Sequence, residues 1–236
     1  TYSATNRQAN MDLLDNGVLY VAKFNENGTG EWISLIGGQG ALGQMTQAEV
    51  LINTRIAGDL VGATKMDRPE DIEWNPVNRK LYALMNNNTN RTAAQVDAVN
   101  PRSNNRFGHV IEIAENGDDP AALGFTWSIF MLCGNPADPS HGTFFAGFDP
   151  GLVSGISCPD NLTFDKRGNM WIATDGQPGT IQRNDGVYAV PTEGPDRGFV
   201  RQFLSVPVGA EVCGPEFTPE NSTFFSAVQH PGEGGT

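Results

Sequence analysis

The sequence is poor in the residues that carry much of enzyme chemistry: three histidines and three cysteines in 236 residues. Cys133, Cys158 and Cys213 show no C-x-x-C spacing, which excludes a zinc ribbon, and an odd count leaves a disulfide framework undefined. Cys133, inside "SIFMLCG", reads as a buried, inert thiol. Cations are few as well. Fifteen Lys and Arg stand against 27 Asp and Glu, a net charge of −12, so the basic patch that nucleic acid requires is missing. No apolar run approaches the ~20 residues of a membrane-spanning helix, and "TYSATNRQAN" lacks the charged-then-apolar pattern of a signal segment. No membrane partner is expected. A first residue other than Met and a glycine-rich close lead us to expect a piece of a longer chain.

What is present is acid, glycine, proline and alternation. The length suits one all-β domain spanning 1–236, and an acidic surface leaves room for multivalent cations. "GVLYVAKFN" and "TGEWISLI" flank the turn "ENG" and read as a hairpin. "MTQAEVLINTRIAGDLVGA", Met45–Ala63, reads as the one helix. Thr46 and Glu49 form a T-x-x-E capping box, Val50, Leu51, Ile56 and Leu60 mark an apolar face, and Gly62 marks the stop.

A phrase then repeats. "RPEDIEWNPVNRKLYALMNN" (68–87), "CPDNLTFDKRGNMWIATDG" (158–176) and "EVCGPEFTPENSTFFSAVQH" (211–230) each alternate, turn and run apolar again. Aligning Trp74, Phe164 and Phe217 superimposes the turns and the return strands. Two further strands follow each of the first two phrases, at 108–114 and 124–132, then at 186–192 and 198–206. Four strands and the phrase again is the grammar of a β-propeller blade, and the chain holds about three blades. The uneven spacing comes from two long insertions, 86–106 and 134–157. Insertions of that length tend to be functional loops, and the Asn-rich first one reads equally as a flexible one.

In a propeller the first strand of each blade lines the channel, so Glu70, Asp160 and Glu211 with Glu216 fall near a shared axis. Carboxylates that converge repel one another unless cations sit among them, which makes the repeated acid a metal-site signal. Counting back from the aligned aromatics, Glu70 and Asp160 match, while the third copy has Cys213 there and Glu211 two places earlier. Cys213 is either a thiolate ligand or a small packing residue. Asn86, Asn87 and Asp175 end the return strands, either as oxygen donors for a cation or simply because they suit turns. Lys65 and Arg68 either face a phosphate or pair with the acids. His230, before a Pro-Gly turn, is a ligand, an acid/base or structural.

The stretches "ATKMDRPEDIEWNP…LYALMNNNTNR", "CPDNLTFD…GNMWIATDG" and "GAEVCGPEFTPE…FFSAVQHPGE" resemble the PhoX family of bacterial alkaline phosphatases, and the likeness runs from about Met45 onward. The chain looks like the C-terminal half of such a protein. The resemblance implies a six-bladed propeller, a monomer exported to the periplasm or beyond, that hydrolyses small phosphate monoesters with iron and calcium in its funnel. By the same resemblance Glu70 and Glu211 look like metal ligands and Asp160 a calcium ligand; from their positions beside these acids, Asp175 and Asn87 are expected as further metal donors, and Lys65 and Arg68 as substrate contacts. Relatives place an arginine for the phosphate where this chain has Gly209. Two other classes fit the same acids: a calcium-dependent lactonase-type propeller, and a non-catalytic binding propeller.

Overall fold

The computed structural model describes residues 2–13, 15 and 17–232, so Glu233, which closes the third quoted stretch, lies outside the described residues. The chain divides into two compact units, residues 1–24 with 30–64 and residues 25–29 with 65–236, each with its own apolar core.

In the smaller unit β1 (Tyr20–Phe24) pairs antiparallel with β2 (Thr29–Ser34), and Val21 joins a core of Leu35, Leu42, Val50 and Ala57. The expected capping box forms: Glu49 N donates to Thr46 Oγ1, and Glu49 Oε2 accepts from Thr46 N at 2.7 Å. Gly62 ends the helical stretch in the left-handed conformation, φ 80°. The single helix expected over Met45–Ala63 is instead two, α1 (Gln47–Ile52) and α2 (Thr54–Val61), broken at Asn53. The break is local chemistry: Asn53 Nδ2 and Thr54 Oγ1 both donate back to helix carbonyls, the competition that makes these residues poor in helix interiors. It also rotates the apolar face away from the expected one. Val50 is buried with Ala57, while Leu51, Ile56 and Leu60 are exposed.

The larger unit contains the expected blades. Strands β3 (Pro69–Trp74), β4 (Leu81–Met85), β5 (His109–Glu115) and β6 (Gly124–Leu132) are antiparallel in the order β6-β5-β4-β3, with β7 (Phe144–Phe145) on the edge of β6. Strands β8 (Pro159–Phe164), β9 (Met170–Thr174), β10 (Gly186–Val190) and β11 (Arg201–Ser205) repeat that order. Strands β12 (Glu211–Phe217) and β13 (Phe224–Gln229) form the hairpin of a third. The first two blades share one core. Tyr82, Leu84, Val110 and Phe130 interleave with Leu162, Met170, Ile172, Tyr188 and Val190. The Tyr82 ring lies 5.4 Å edge-on from Phe130 and 5.5 Å from Phe164. Each such side chain, fully buried, contributes about 1.5–3 kcal/mol. The alternation read in β3 does not bury its apolar residues. Ile72 and Trp74 are exposed, because β3 has a neighbouring inner strand on one side only among the described residues, whereas β8 packs between β3 and β12 and buries Leu162.

Polar groups stitch neighbouring blades at both ends of the phrase. Asp71 Oδ2 accepts from Leu162 N at 2.8 Å, and Asn161 Oδ1 accepts from Gly214 N at 3.0 Å. In the turns, buried Asn75 donates to Gly168 O at 2.9 Å and to Thr192 Oγ1 at 3.1 Å, and Lys166 Nζ donates to Glu220 O at 3.1 Å. In the first two phrases the residue after the acid, Asp71 or Asn161, is thus a staple to the next blade.

The Asn-rich insertion is pinned, not flexible. Asp67 is fully buried and paired with Arg91, and Asn100 and Asn105 are buried beside them. His109, in the same environment, has its pKa pushed down to about 4 by burial, opposed by Asp67 and reinforced by Arg102 and Arg91. The unfolded chain therefore binds that proton more tightly than the folded one. Stability is full above about pH 6.5 and falls as pH drops toward 4, by about 3 kcal/mol for this group alone. Denaturant melts at pH 7, 5.5 and 4.5 should show the loss, and His109→Gln should flatten the part of it that belongs to this residue.

Gly108 sits at φ 78° where the insertion enters β5, and a Cβ there would lie 2.2 Å from Asn86 O and 2.7 Å from Pro159 Cδ. Gly108→Ala is expected to cost roughly 2–4 kcal/mol, from overpacking plus left-handed strain. A melting curve superimposable on that of the parent would contradict this.

Candidate metal and phosphate site

Each phrase holds a residue left-handed just before a proline: Arg68 at φ 51° and Cys158 at φ 51° open the first two, and Gly214 at φ 52° lies three residues into the third. The chain is irregular at the same three places, where strand pairing slips between Pro69 and Asp71, Pro159 and Asn161, and Cys213 and Glu216. Such bulges re-aim side chains and are common beside sites. A non-glycine residue there costs about 1–3 kcal/mol and persists only where its surroundings fix it.

The bulges and strand ends gather the acids. Asp160 is half-buried, and its pKa is raised to about 6, first by burial, then by the like charges of Asp175 and Glu70, with Glu211 adding more. Asn86 opposes this by donating Nδ2 to Asp160 Oδ1 at 3.1 Å. Glu211 is also raised, by burial and then by its hydrogen bond and charge interaction with Asp175, against Cys213 and His230. Glu70, Asp160, Asp175 and Glu211 therefore share one electrostatic neighbourhood although they come from three blades. Next to Asp175 and Glu211 a cleft of about 310 Å³ opens, walled by Gly176, Pro178, Gly209 and His230.

A hydrogen-bonded row leads from this cluster to a cation. Arg68 Nη1 donates to Asn87 Oδ1 at 3.1 Å, Asn87 Nδ2 to Asn86 Oδ1 at 2.6 Å, and Asn86 Nδ2 to Asp160. Arg68 Nη2 lies 3.5 Å from Glu70 Oε1. Asn86, buried between cluster and cation, belongs to the site as much as Asn87 does. Lys65 is exposed and enters the surrounding network through its carbonyl, which accepts from Arg91 and Asn100. His230 Nε2 is 3.9 Å from Glu211 Oε1 and 2.9 Å from the Gln229 side-chain nitrogen.

All three cysteines are free thiols. Cys133 is fully buried with its pKa pushed far up, an inert packing residue as its apolar setting implied. Cys158 is buried too. Cys213 Sγ stands 3.6 Å from both Glu211 Oε1 and Gln229 Oε1, and burial and that carboxylate raise it to about 11.

Among the described residues no three His, Cys, Asp or Glu side chains are drawn tightly enough to form a coordination sphere by themselves. The donor chemistry nevertheless fits a hard cation. It consists of carboxylate and amide oxygens, and the repulsion that raises Asp160 is what a bound cation relieves.

Fold and site together define a partial β-propeller with an acid cluster at the inner ends of its blades. The family model described as "Alkaline phosphatase PhoX" matches residues 1–232, and the chain belongs to the PhoX alkaline phosphatase family. A solved structure of Pseudomonas fluorescens PhoX in complex with vanadate, a transition state analogue, superimposes with a TM-score of 0.89 at 36% identity. The match covers 100% of this chain and 43% of that one, so the chain spans less than half the length of that relative. No curated protein matches.

Proposed function

We propose that these residues form the C-terminal part of a secreted or periplasmic phosphatase that hydrolyses small phosphate monoesters, acting as a monomer with iron and calcium held at the acid cluster. The observation that carries the reading is the convergence of Glu70, Asp160, Asp175 and Glu211 from three blades onto one acidic neighbourhood, with Arg68 as the cation beside it. Family membership and the vanadate complex of the Pseudomonas fluorescens relative support it. The coverage of 43% of that relative supports the view that further blades, from a longer chain, close the ring.

Glu70, Asp160 and Glu211, with Asp175 and Asn87, are the residues that would hold the metals. Bound there, the ions would supply positive charge facing the phosphoryl oxygens, where phosphoryl transfer develops negative charge. The chain's own groups do the rest. Asn86 and Asn87 orient Asp160, and Arg68 and Lys65 supply cationic contacts for the phosphate. Gly209 at the cleft wall contributes no cation, so Arg68 and Lys65 are the cationic contacts these residues would offer a phosphate.

The test is hydrolysis of an aryl phosphate by the complete protein before and after a strong calcium chelator, with a lactone offered in parallel. Phosphate release that chelation abolishes supports the reading. Lactone opening without phosphate release refutes it.

A further inference from the structure

The insertion 86–106 folds back on one carboxylate just upstream of Arg68. Asp67 Oδ1 accepts from Arg91 Nε at 2.5 Å and from Asn88 Nδ2 at 2.9 Å, and its Oδ2 accepts from Asn105 Nδ2 at 3.0 Å. Arg91 in turn donates Nη1 to Gln95 O at 2.6 Å and Nη2 to Lys65 O at 2.7 Å. Lys65 O accepts again from Asn100 Nδ2 at 3.1 Å. Residues 65 and 67 are thus gripped from the insertion, one by its carbonyl and one by its side chain. The grip ends at Arg68, which turns left-handed, takes Asn86 N on its own carbonyl at 3.0 Å and places its guanidinium on Asn87. Asn86 and Asn87 are the first residues of the same insertion. The segment therefore holds Arg68 from both sides, through the backbone before it and the side-chain amide ahead of it.

We propose that the buried Asp67–Arg91 pair is the positioning device for Arg68, fixing its backbone turn so that the guanidinium meets a phosphate at the edge of the acid cluster. The inference rests on the reading of Arg68 as a phosphate contact. Its physical sense lies in preorganisation. An exposed arginine beside Glu70 can swing onto that acid, and an anion binds better when the guanidinium is already held in one orientation. Arg91 suits the brace because its planar fork reaches one carboxylate and two carbonyls at once, which a lysine ammonium does not reproduce.

The experiment is a double-mutant cycle on the complete protein, read as the inhibition constant of inorganic phosphate against an aryl phosphate. Metal content and thermal midpoint are measured on every variant. Asp67→Asn and Arg91→Lys are each made alone and in combination with Arg68→Ala. Arg91→Lys keeps the buried charge and guards against the case in which Asp67→Asn fails to fold. The brace substitutions are expected to weaken phosphate inhibition by about tenfold at unchanged metal content, and to have almost no further effect once Arg68 is alanine. Equal weakening with and without Arg68, or none in its presence, overturns the brace. If Arg68→Ala alone leaves phosphate inhibition untouched, the assignment of Arg68 fails, and the brace fails with it.

Discussion

Glu211→Gln in the complete protein is expected to lower turnover of an aryl phosphate by about 100-fold or more, and bound metal with it. The substitution keeps the size of the side chain and removes one charge from a cluster in which Asp175, Glu70 and Glu211 raise the proton affinity of Asp160, and Asp175 raises that of Glu211. Such a cluster tolerates its own charge when a cation is present. Losing one carboxylate should therefore weaken the cation more than the fold, and the melting temperature without metal should hold or rise. Glu26→Gln, in the exposed turn of the opening hairpin, provides the control and should alter neither metal nor rate. The 236-residue piece alone should be inactive, since its carboxylates do not close a coordination sphere by themselves among the described residues. Normal metal content with full turnover in Glu211→Gln would remove that residue from the site.

Asp67→Ala is expected to destabilise the protein by about 3–5 kcal/mol, the cost of leaving a buried arginine unpaired. Asp67 has 0% exposure and the Arg91 side chain 6%, and the carboxylate also satisfies Asn88 and Asn105. Asp118→Ala makes the comparison, since it breaks a pair with Arg79 in which both side chains are more than half exposed. That change should cost about 0–1 kcal/mol. Denaturant midpoints that rank the two substitutions the other way would contradict the burial argument.

The blades were legible because their signals are local. Alternation around Leu162 and Phe164, the "DKRGN" turn and the apolar run Met170–Thr174 can be read without knowing what packs on them, and the same pattern recurs at Trp74 and Phe217. The acids were legible by position in that repeat, and so was the capping box of Thr46 and Glu49. What depends on neighbours was not. Burial of Leu162 and exposure of Ile72 follow from strands on either side, which alternation does not encode. The break at Asn53 turns on side-chain donors competing for helix carbonyls, and it carried the apolar face with it. The Asp67–Arg91 pair joins residues 24 positions apart with no periodic pattern between them, so an Asn-rich stretch that read equally as a functional or a flexible loop is tied down by a buried pair. Asn86 read as either a donor or a turn residue, and only the geometry shows it bonded to Asp160.

The most direct measurement is anomalous diffraction from crystals of the complete protein, collected at an iron edge and at long wavelength for calcium. Metal peaks are expected at coordination distance, about 2.0–2.6 Å, from the carboxylate oxygens of Glu70, Asp160 and Glu211. Peaks placed elsewhere, with these three carboxylates bound only to protein or water, would contradict this.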